Sequence, residues 1–226
     1  MSVRRGTDAT RTVAVEIPAE GARLPGDLIL PVGPAGLVLF AHGSGSSRAS
    51  PRNRFVAGVL QDAGLGTLLF DLLTPAEDRD YATRFDIPLL TSRLTAAARW
   101  AAVEPTTAAL PMGFFGASTG AAAALMAAAG AGSPARAVVS RGGRPDLAGA
   151  ALARVRAPTL LIVGGDDTEV LALNRHALAR LACEKELRVV PGATHLFEEP
   201  GTLEEVAAAA AAWFVRFLPR TAGASG

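Results

Sequence analysis

Short apolar runs alternate with longer amphipathic segments along this chain, and the alternation predicts its secondary structure. Residues 12–17 alternate apolar and polar side chains, as a half-exposed strand does. Residues 36–41 form a continuous apolar run, which is typical of a strand buried on both faces. The predicted strands span residues 12–17, 27–30, 36–41, 67–70, 111–115, 136–140, 159–163 and 186–190. The predicted helices span residues 54–63, 87–103, 118–129, 145–154, 169–181 and 203–217.

Two of the predicted helices carry recognisable start signals. Asp86 precedes the helix at residues 87–103 as an expected N-cap, and Pro88 is tolerated in its first turn. Thr202 and Glu205 match the S/T-x-x-E capping box before the last helix. Helices alternating with buried strands predict an α/β fold, a three-layer α/β/α sandwich built on a mostly parallel, doubly wound sheet.

Composition narrows the class of protein. Of the 226 residues, 50% are hydrophobic and 19% are charged, which is typical of a globular chain. No linker divides the chain, so we expect a single domain with its core at about residues 12–218. The formal net charge of +1 gives no reason to expect nucleic acid or an anionic membrane as a partner. The longest apolar run, residues 206–215, is shorter than the roughly 20 residues that span a bilayer. With no secretory signal at the start, we expect a soluble, cytoplasmic protein.

Ser118 lies between a predicted strand and a predicted helix, in the sequence GASTG at residues 116–120. A serine presented at a strand end with its hydroxyl exposed needs a tight, strained turn with a positive φ. Such a turn crowds the positions two before and two after the serine, and Gly116 and Gly120 supply the minimal side chains. The pattern predicts a nucleophile at Ser118; the alternative is a serine that only caps the helix.

A serine nucleophile needs a base, and the base needs an acid to orient it. His195 follows the last predicted strand and is the expected base, whereas His176 lies in the middle of a helix. Asp166 and Asp167 both follow the seventh predicted strand and cannot point the same way, and we prefer Asp167 as the acid. Asp71 is a more distant candidate. The order Ser, Asp, His along the chain is that of the α/β-hydrolases.

The negative oxygen of a tetrahedral intermediate needs preorganised donors. One expected donor is the amide of Thr119, directly after the nucleophile, and the other is the amide of Ser44 in the loop after the third strand. Gly43 and Gly45 let that backbone approach a substrate closely.

Several further side chains are candidates for substrate contact. Loop arginines follow two of the predicted strands, and a guanidinium holds a carboxylate by a bidentate contact. Arg48, Arg52 and Arg54 follow the third strand, and Arg141 and Arg144 follow the sixth. The alternative for these arginines is ion pairing with surface acids such as Asp146. His42 either contacts the substrate or props the oxyanion loop by hydrogen bonding. Three histidines and the single Cys183 offer no plausible zinc cluster, so we expect no metal and no cofactor.

These motifs together resemble the α/β-hydrolase superfamily, and within it the small, lidless members of the dienelactone hydrolase family. The resemblance covers about residues 25–218 and rests on FAHGSG at residues 40–45, GASTG at 116–120, LIVGGDDT at 161–168 and GATHLFE at 192–198. It implies a sheet of eight or nearly eight strands in the order 1-2-4-3-5-6-7-8. Dienelactone hydrolases look like cysteine enzymes, whereas residue 118 is serine, which favours general hydrolysis of carboxylic esters.

The expected function is therefore a carboxylesterase that acts through Ser118, His195 and Asp167 on a small ester and water. About 18 residues separate Ser140 from Thr159, where many relatives insert a lid, so we expect no large cap and a preference for short acyl chains. The alternatives are a lactone, thioester or amide hydrolase on the same three residues, or a non-catalytic binding domain with this fold.

Overall fold

The computed structural model describes residues 10–218 and contains an eight-stranded sheet with helices on both faces. The strands are β1 (Arg11–Ala19), β2 (Ala22–Leu30), β3 (Leu37–Ala41), β4 (Gly66–Phe70), β5 (Met112–Ala117), β6 (Ala135–Arg141), β7 (Thr159–Gly164) and β8 (Lys185–Val190). The α-helices are α1 (Pro51–Asp62), α2 (Ile87–Val103), α3 (Thr119–Ala128), α4 (Thr168–Arg180) and α5 (Thr202–Phe217). The predicted three-layer α/β/α sandwich is confirmed.

The strands lie in the order β1-β2-β4-β3-β5-β6-β7-β8, as the resemblance implied. β1 and β2 form an antiparallel pair, and β2 is also antiparallel to β4. All the pairs from β4 through β3 and β5 to β8 are parallel. The carboxyl ends of six parallel strands therefore meet at one edge of the sheet, and the loops that leave these ends lie next to one another.

Each face of the sheet has its own hydrophobic layer. One layer packs α2, α3 and part of α4 against the sheet through side chains such as Leu94, Leu125 and Leu161. The other packs α1 and α5 through side chains such as Leu60 and Phe214. The strands β3, β4, β5 and β7 are buried along their whole length, which explains their continuous apolar sequences.

The helix starts follow the sequence signals in one case and depart from them in two. Asp86 caps α2 as predicted, because its Oδ1 accepts a hydrogen bond of 2.9 Å from the amide of Leu89. Helix α1 begins at Pro51, three residues earlier than predicted, with Ser50 as its N-cap. The capping box predicted at Thr202 is wrong. Thr202 is the first residue of α5, and its hydroxyl donates to the carbonyl of Glu199 at 2.7 Å instead of accepting from the helix.

The connections also differ from the expected pattern. Residues 145–154 form two pieces of 3₁₀-helix broken at Gly149, whose φ of 53° no helix accommodates. Two further 3₁₀ turns, Glu77–Arg79 and Thr83–Phe85, lie between β4 and α2 where no element was predicted. No large cap interrupts the strands and helices of residues 10–218. In the same part of the chain, each helix is too short or too polar to cross a bilayer.

Candidate active site

Ser118 occupies a sharp turn between β5 and α3, with φ 50° and ψ −121°. This left-handed conformation is strained for a residue with a side chain, and it turns the serine out from the strand end. A Cβ on Gly116 would overlap the backbone of Ala121, and one on Gly120 would overlap the carbonyl of Ala41. The two glycines are therefore required by the close approach of strand, turn and helix.

The backbone of the turn is fastened to the loop after β6. The amide of Ser118 donates to the carbonyl of Arg141 at 3.3 Å, and the amide of Arg144 donates to the carbonyl of Ser118 at 3.1 Å. Buried Asn174, on α4, holds the same loop by donating from Nδ2 to the carbonyl of Gly143 at 2.9 Å. These bonds keep the strained serine in one position.

His195 lies in the loop after β8 and is bonded to Asp167. Nδ1 of His195 and Oδ2 of Asp167 are 2.6 Å apart, while Asp166 is exposed. A carboxylate on Nδ1 accepts that proton and leaves the lone pair on Nε2 of the neutral ring. The arrangement can orient a proton acceptor, as the acid of a catalytic triad does.

The loop that carries His195 is itself fixed by strain and hydrogen bonds. Phe197 has a φ of 56°, and its side chain is buried. The carboxylate of Glu199 accepts from the amide of Thr194 at 3.1 Å and from its hydroxyl at 2.6 Å. The residues on both sides of His195 are thus held in place, Thr194 by hydrogen bonds and Phe197 by burial of its side chain.

Ser118 and His195 line one pocket of about 230 Å³, which we term the catalytic-edge pocket. The residues lining it are Gly43, Ser44, Ser46, Ser50, Arg52, Ala117, Ser118, Arg141, His195 and Leu196. The structure brings the serine and the histidine to the same cavity. Among the hydrogen bonds of residues 10–218, none joins the Ser118 hydroxyl to the ring of His195.

Two backbone amides close to Ser118 in the chain or in space have no hydrogen-bond acceptor in the described part of the protein. Within the described chain, neither the amide of Ser44 nor that of Thr119 donates to a protein acceptor. Gly43 packs tightly on the serine, since a Cβ there would lie 3.0 Å from Cβ of Ser118. Unpaired backbone amides are the kind of donor that an oxyanion hole requires.

His42 lies outside the lining of the pocket. Its Nε2 accepts from the amide of Leu72 at 3.0 Å, and its Nδ1 lies 2.9 Å from the carbonyl of Gly43. Burial lowers the pKa of His42, which keeps the ring neutral and able to accept the Leu72 bond. The ring of His42 links the loop after β3 to the amide of Leu72, and the structure does not place it in the lining of the catalytic-edge pocket.

The two arginines singled out after β6 have different surroundings. Arg144 is paired with Asp146 through two contacts, 2.9 Å from Nε and 2.8 Å from Nη2, and the structure does not bring it to the pocket. Arg141 lines the pocket and exposes only 7% of its surface. Burial, together with the charge of Arg52, lowers the pKa of Arg141 to about 10, so the side chain is still charged at neutral pH.

Sequence reasoning considered Arg52 as one of several loop arginines for substrate contact and gave Asn53 no role; both residues lie at the start of α1. Arg52 reaches the pocket, and Asn53 is buried and accepts from Nη2 of Arg141 at 3.4 Å. The sequence feature that identifies these two residues is the position of α1, the element directly after β3. This position places the first turn of α1 at the same edge of the sheet as Ser118. Asp71, the distant candidate acid, is paired with Arg48.

A second cavity, of about 440 Å³, lies between α2 and α3, and we term it the α2–α3 groove. Its walls include Thr95, Ala98, Arg99, Met126 and the segment of residues 130–134. That segment directly precedes β6, so the groove lies at the edge of the sheet opposite to Ser118.

The dienelactone hydrolase family profile matches residues 76–219. A solved dienelactone hydrolase from Anabaena variabilis shares 55% sequence identity, with a TM-score of 0.90, over 92% of this chain and 99% of that one. A lidless α/β serine hydrolase from Xanthomonas campestris is 20% identical with a TM-score of 0.76, over 93% and 97% of the two chains, and it supports the fold alone.

Two curated proteins of Mycobacterium tuberculosis, whose names propose a phosphoribosyl transferase, are 60% identical to this chain over 208 residues. The match covers 92% of this chain and 47% of theirs. The chain therefore spans about half the length of the curated relatives it matches.

Proposed function

Because this chain belongs to the dienelactone hydrolase family, we propose that it is a serine hydrolase that cleaves small carboxylic esters through an acyl-enzyme intermediate. The observation that carries the proposal is the 2.6 Å bond between His195 and Asp167 at the pocket that also holds strained Ser118. Such a set supplies nucleophile, base and orienting acid without a cofactor. The transferase in the names of the M. tuberculosis relatives is said of proteins about twice the length of this chain.

In the first half of the reaction, the hydroxyl of Ser118 moves to within hydrogen-bond distance of Nε2 of His195. The histidine takes the proton as Oγ forms a bond to the acyl carbon, and Asp167 stabilises the resulting imidazolium. The carbonyl oxygen becomes an oxyanion that accepts from the amides of Ser44 and Thr119. The intermediate then collapses, the bond to the alcohol oxygen breaks, and His195 returns its proton to the departing alcohol.

In the second half, a water molecule replaces the alcohol next to His195. The histidine removes a proton from the water as its oxygen attacks the acyl carbon of the Ser118 ester. Collapse of the second tetrahedral intermediate breaks the bond to Oγ, and the proton on His195 returns to Ser118. The carboxylic acid leaves, and the enzyme is restored.

The size of the catalytic-edge pocket supports small substrates. Its volume is about 230 Å³, and no large cap among residues 10–218 encloses further space above it. A long acyl chain would remain in water, where it gains little of the roughly 0.8 kcal/mol that each buried CH₂ contributes. Lactones are cyclic esters open to the same steps, so they belong in the substrate panel.

A screen of p-nitrophenyl and naphthyl esters, together with small lactones, tests the proposal. Wild-type protein should hydrolyse the short esters, and the Ser118→Ala variant should not, while its circular dichroism spectrum stays unchanged. A fluorophosphonate should label Ser118 alone, as read by peptide mass spectrometry. Labelling at another residue, or none in the folded wild-type protein, would show that Ser118 is not the nucleophile.

A further inference from the structure

The catalytic-edge pocket contains two arginines: buried Arg141, which has no carboxylate partner among the described residues, and half-buried Arg52, whose partner is the exposed Glu198. Arg141 is buried, and no carboxylate of the described residues lies within 4.0 Å of its guanidinium. Its one hydrogen bond is the long contact of 3.4 Å to Asn53, and Nε has no partner. Nε of Arg52 is also buried without a partner. A buried charge is costly unless it is paired, so these donors indicate a ligand.

Arg144, in the loop after β6, differs from Arg141 because it has an acidic partner. Arg144, three residues after Arg141, makes two close contacts with Asp146. The ring of Phe197 lies 6.0 Å from the guanidinium carbon of Arg141, which covers one face of the cation but uses none of its N–H groups. The guanidinium of Arg141, which lines the cavity, therefore keeps N–H groups without a protein acceptor.

The charge in this pocket is also unbalanced. The positive charge of Arg52 contributes to the lowered pKa of Arg141, which means that the two like charges sense each other. Arg52 has one carboxylate contact, 3.1 Å from Nη1 to Oε1 of Glu198. The Glu198 side chain is 64% exposed, so water can replace this contact at little cost. An anion in the pocket would relieve the repulsion between the two guanidiniums.

The number of donors favours a phosphate over a carboxylate. Besides the two guanidiniums, the hydroxyls of Ser44 and Ser46 line the cavity, and the N-terminus of the twelve-residue helix α1 lies beside it. A carboxylate has two oxygens and a single charge. A phosphate monoester has three terminal oxygens and a charge of about −1.5 to −2 at neutral pH, which matches two arginines.

We propose that the catalytic-edge pocket binds a phosphate group carried by the substrate, held by Arg141 and Arg52 next to Ser118. This inference rests on the proposed hydrolase function, and it names the substrate class as small esters that bear a phosphate. Arg141 supplies the fixed, buried donors. Arg52 breaks its contact with Glu198 and binds the phosphate instead.

Direct binding tests this site without any turnover. Isothermal titration of inorganic phosphate into the Ser118→Ala protein should show one site. In that background, Arg52→Ala should weaken phosphate binding by about 10- to 100-fold, the range expected for a lost charge-assisted hydrogen bond. The matched control is Arg54→Ala, since Arg54 lies on the same helix but pairs with Asp27 at 3.6 Å and does not line the pocket. That variant should bind phosphate as the parent does.

Two further measurements keep the test decisive. Glu198→Gln should tighten phosphate binding, because the competing carboxylate is removed. Arg141→Gln should abolish binding, and its circular dichroism spectrum reports whether it folds; if it does not fold, the Arg52 and Glu198 variants decide. Acetate that binds as tightly as phosphate, or equal effects of the Arg52 and Arg54 variants, would overturn the proposal.

The outcomes separate this proposal from the proposed function. Phosphate binding that depends on Arg52, in a protein that hydrolyses no ester, would retain the anion site and contradict the esterase. Ester hydrolysis that requires Ser118, in a protein that binds no phosphate, would retain the esterase and contradict the anion site.

Discussion

The α2–α3 groove and the catalytic-edge pocket differ in what surrounds them more than in size. The α2–α3 groove has about 440 Å³ and is lined mainly by small and apolar side chains, with Arg99 as the one charged residue among the described residues that line it. The catalytic-edge pocket has about 230 Å³ and collects a strained serine, a histidine bonded to an aspartate, and two arginines with unpaired nitrogens. The smaller cavity is the better candidate for the functional site. A strained backbone and unpaired buried donors both raise the free energy of the folded state, and packing alone does not offset that increase.

The sheet topology explains the difference. Parallel strands bring loops with polar sequences to their carboxyl edge, where backbone amides and helix N-termini converge. At the opposite edge lie the carboxyl-terminal ends of α2 and α3. Their small alanine side chains leave a cavity there, but they provide no reactive groups. We therefore expect substitutions at the two cavities to have very different effects, and the following predictions test that contrast.

The largest effect is expected at His195. His195→Ala should lower kcat by about 10⁶-fold, as loss of a triad base does when the members act as a unit. His176→Ala is the matched control, since His176 is exposed on α4, and it should leave kcat within about twofold, as expected for a surface site. Steady-state kinetics on p-nitrophenyl acetate measures both, and substantial activity in His195→Ala would remove the base from the mechanism.

Next in size is the difference between the two neighbouring aspartates. Asp167→Asn should lower kcat by about 10⁴-fold, because the bond that orients His195 is lost. Asp166→Asn should change kcat by less than about threefold, since Asp166 is exposed and, among the described residues, forms no hydrogen bond or ion pair with His195. The reverse ranking in the same assay would mean that Asp166 is the acid.

A smaller effect is expected along a series of acyl chains. Values of kcat/KM for p-nitrophenyl esters should peak between about C2 and C6 and not rise beyond, because added methylenes stay outside the pocket. A maximum at long chains would show that the acyl chain finds an apolar surface that the 230 Å³ pocket does not supply.

We expect the free energy of unfolding to depend on the buried side chain of His42, directly after β3. At pH 8, His42→Gln should lower the free energy of unfolding by about 1–2 kcal/mol, because the bond from the Leu72 amide is lost or weakened. The pKa of His42 is lowered in the folded state, so the unfolded state binds the proton more readily. The wild type should therefore lose stability as the pH falls below about 6.5, and the difference from His42→Gln should shrink. Urea unfolding at pH 8 and pH 5.5 measures this, and a gap that widens in acid would contradict it.

The smallest effect is expected in the α2–α3 groove. Thr95→Val removes a hydroxyl that bonds only the carbonyl of Thr91, at 2.8 Å. It should change kcat/KM by less than about twofold and stability by about 0.5 kcal/mol or less. A loss of activity comparable to that of a catalytic-edge variant would end the contrast between the two cavities.

The parts of the molecule that local chemistry dictates could be predicted from the sequence. The spacing of Gly116, Ser118 and Gly120 predicted a positive φ at the serine, and the structure has φ 50° there. Alternation along the chain separated Asp166 from Asp167, and Asp167 is the one bonded to His195. Helix α2 has the predicted bounds because its cap and its periodicity agree.

The parts that depend on distant neighbours could not be predicted. Arg141 and Arg144 look alike in the sequence, yet Arg144 pairs with Asp146 while Arg141 is buried behind α1. The failed capping box at Thr202 has the same origin, because the preceding loop offers the carbonyl of Glu199 to its hydroxyl. The positive φ of Phe197 has no sequence signal, since a buried phenylalanine in that conformation is held by its packing.

The strand order has a consequence for the nascent chain. β6, β7 and β8 are added to the same edge of the sheet in the order in which the ribosome makes them, each beside the strand made just before it. Domains form from the N-terminal side during synthesis at about 5–20 residues per second. A chain that has emerged only as far as Gly164 carries Ser118 in its turn but neither Asp167 nor His195. On the proposed mechanism, Ser118 is thus synthesised before Asp167 and His195, the two residues proposed to activate it.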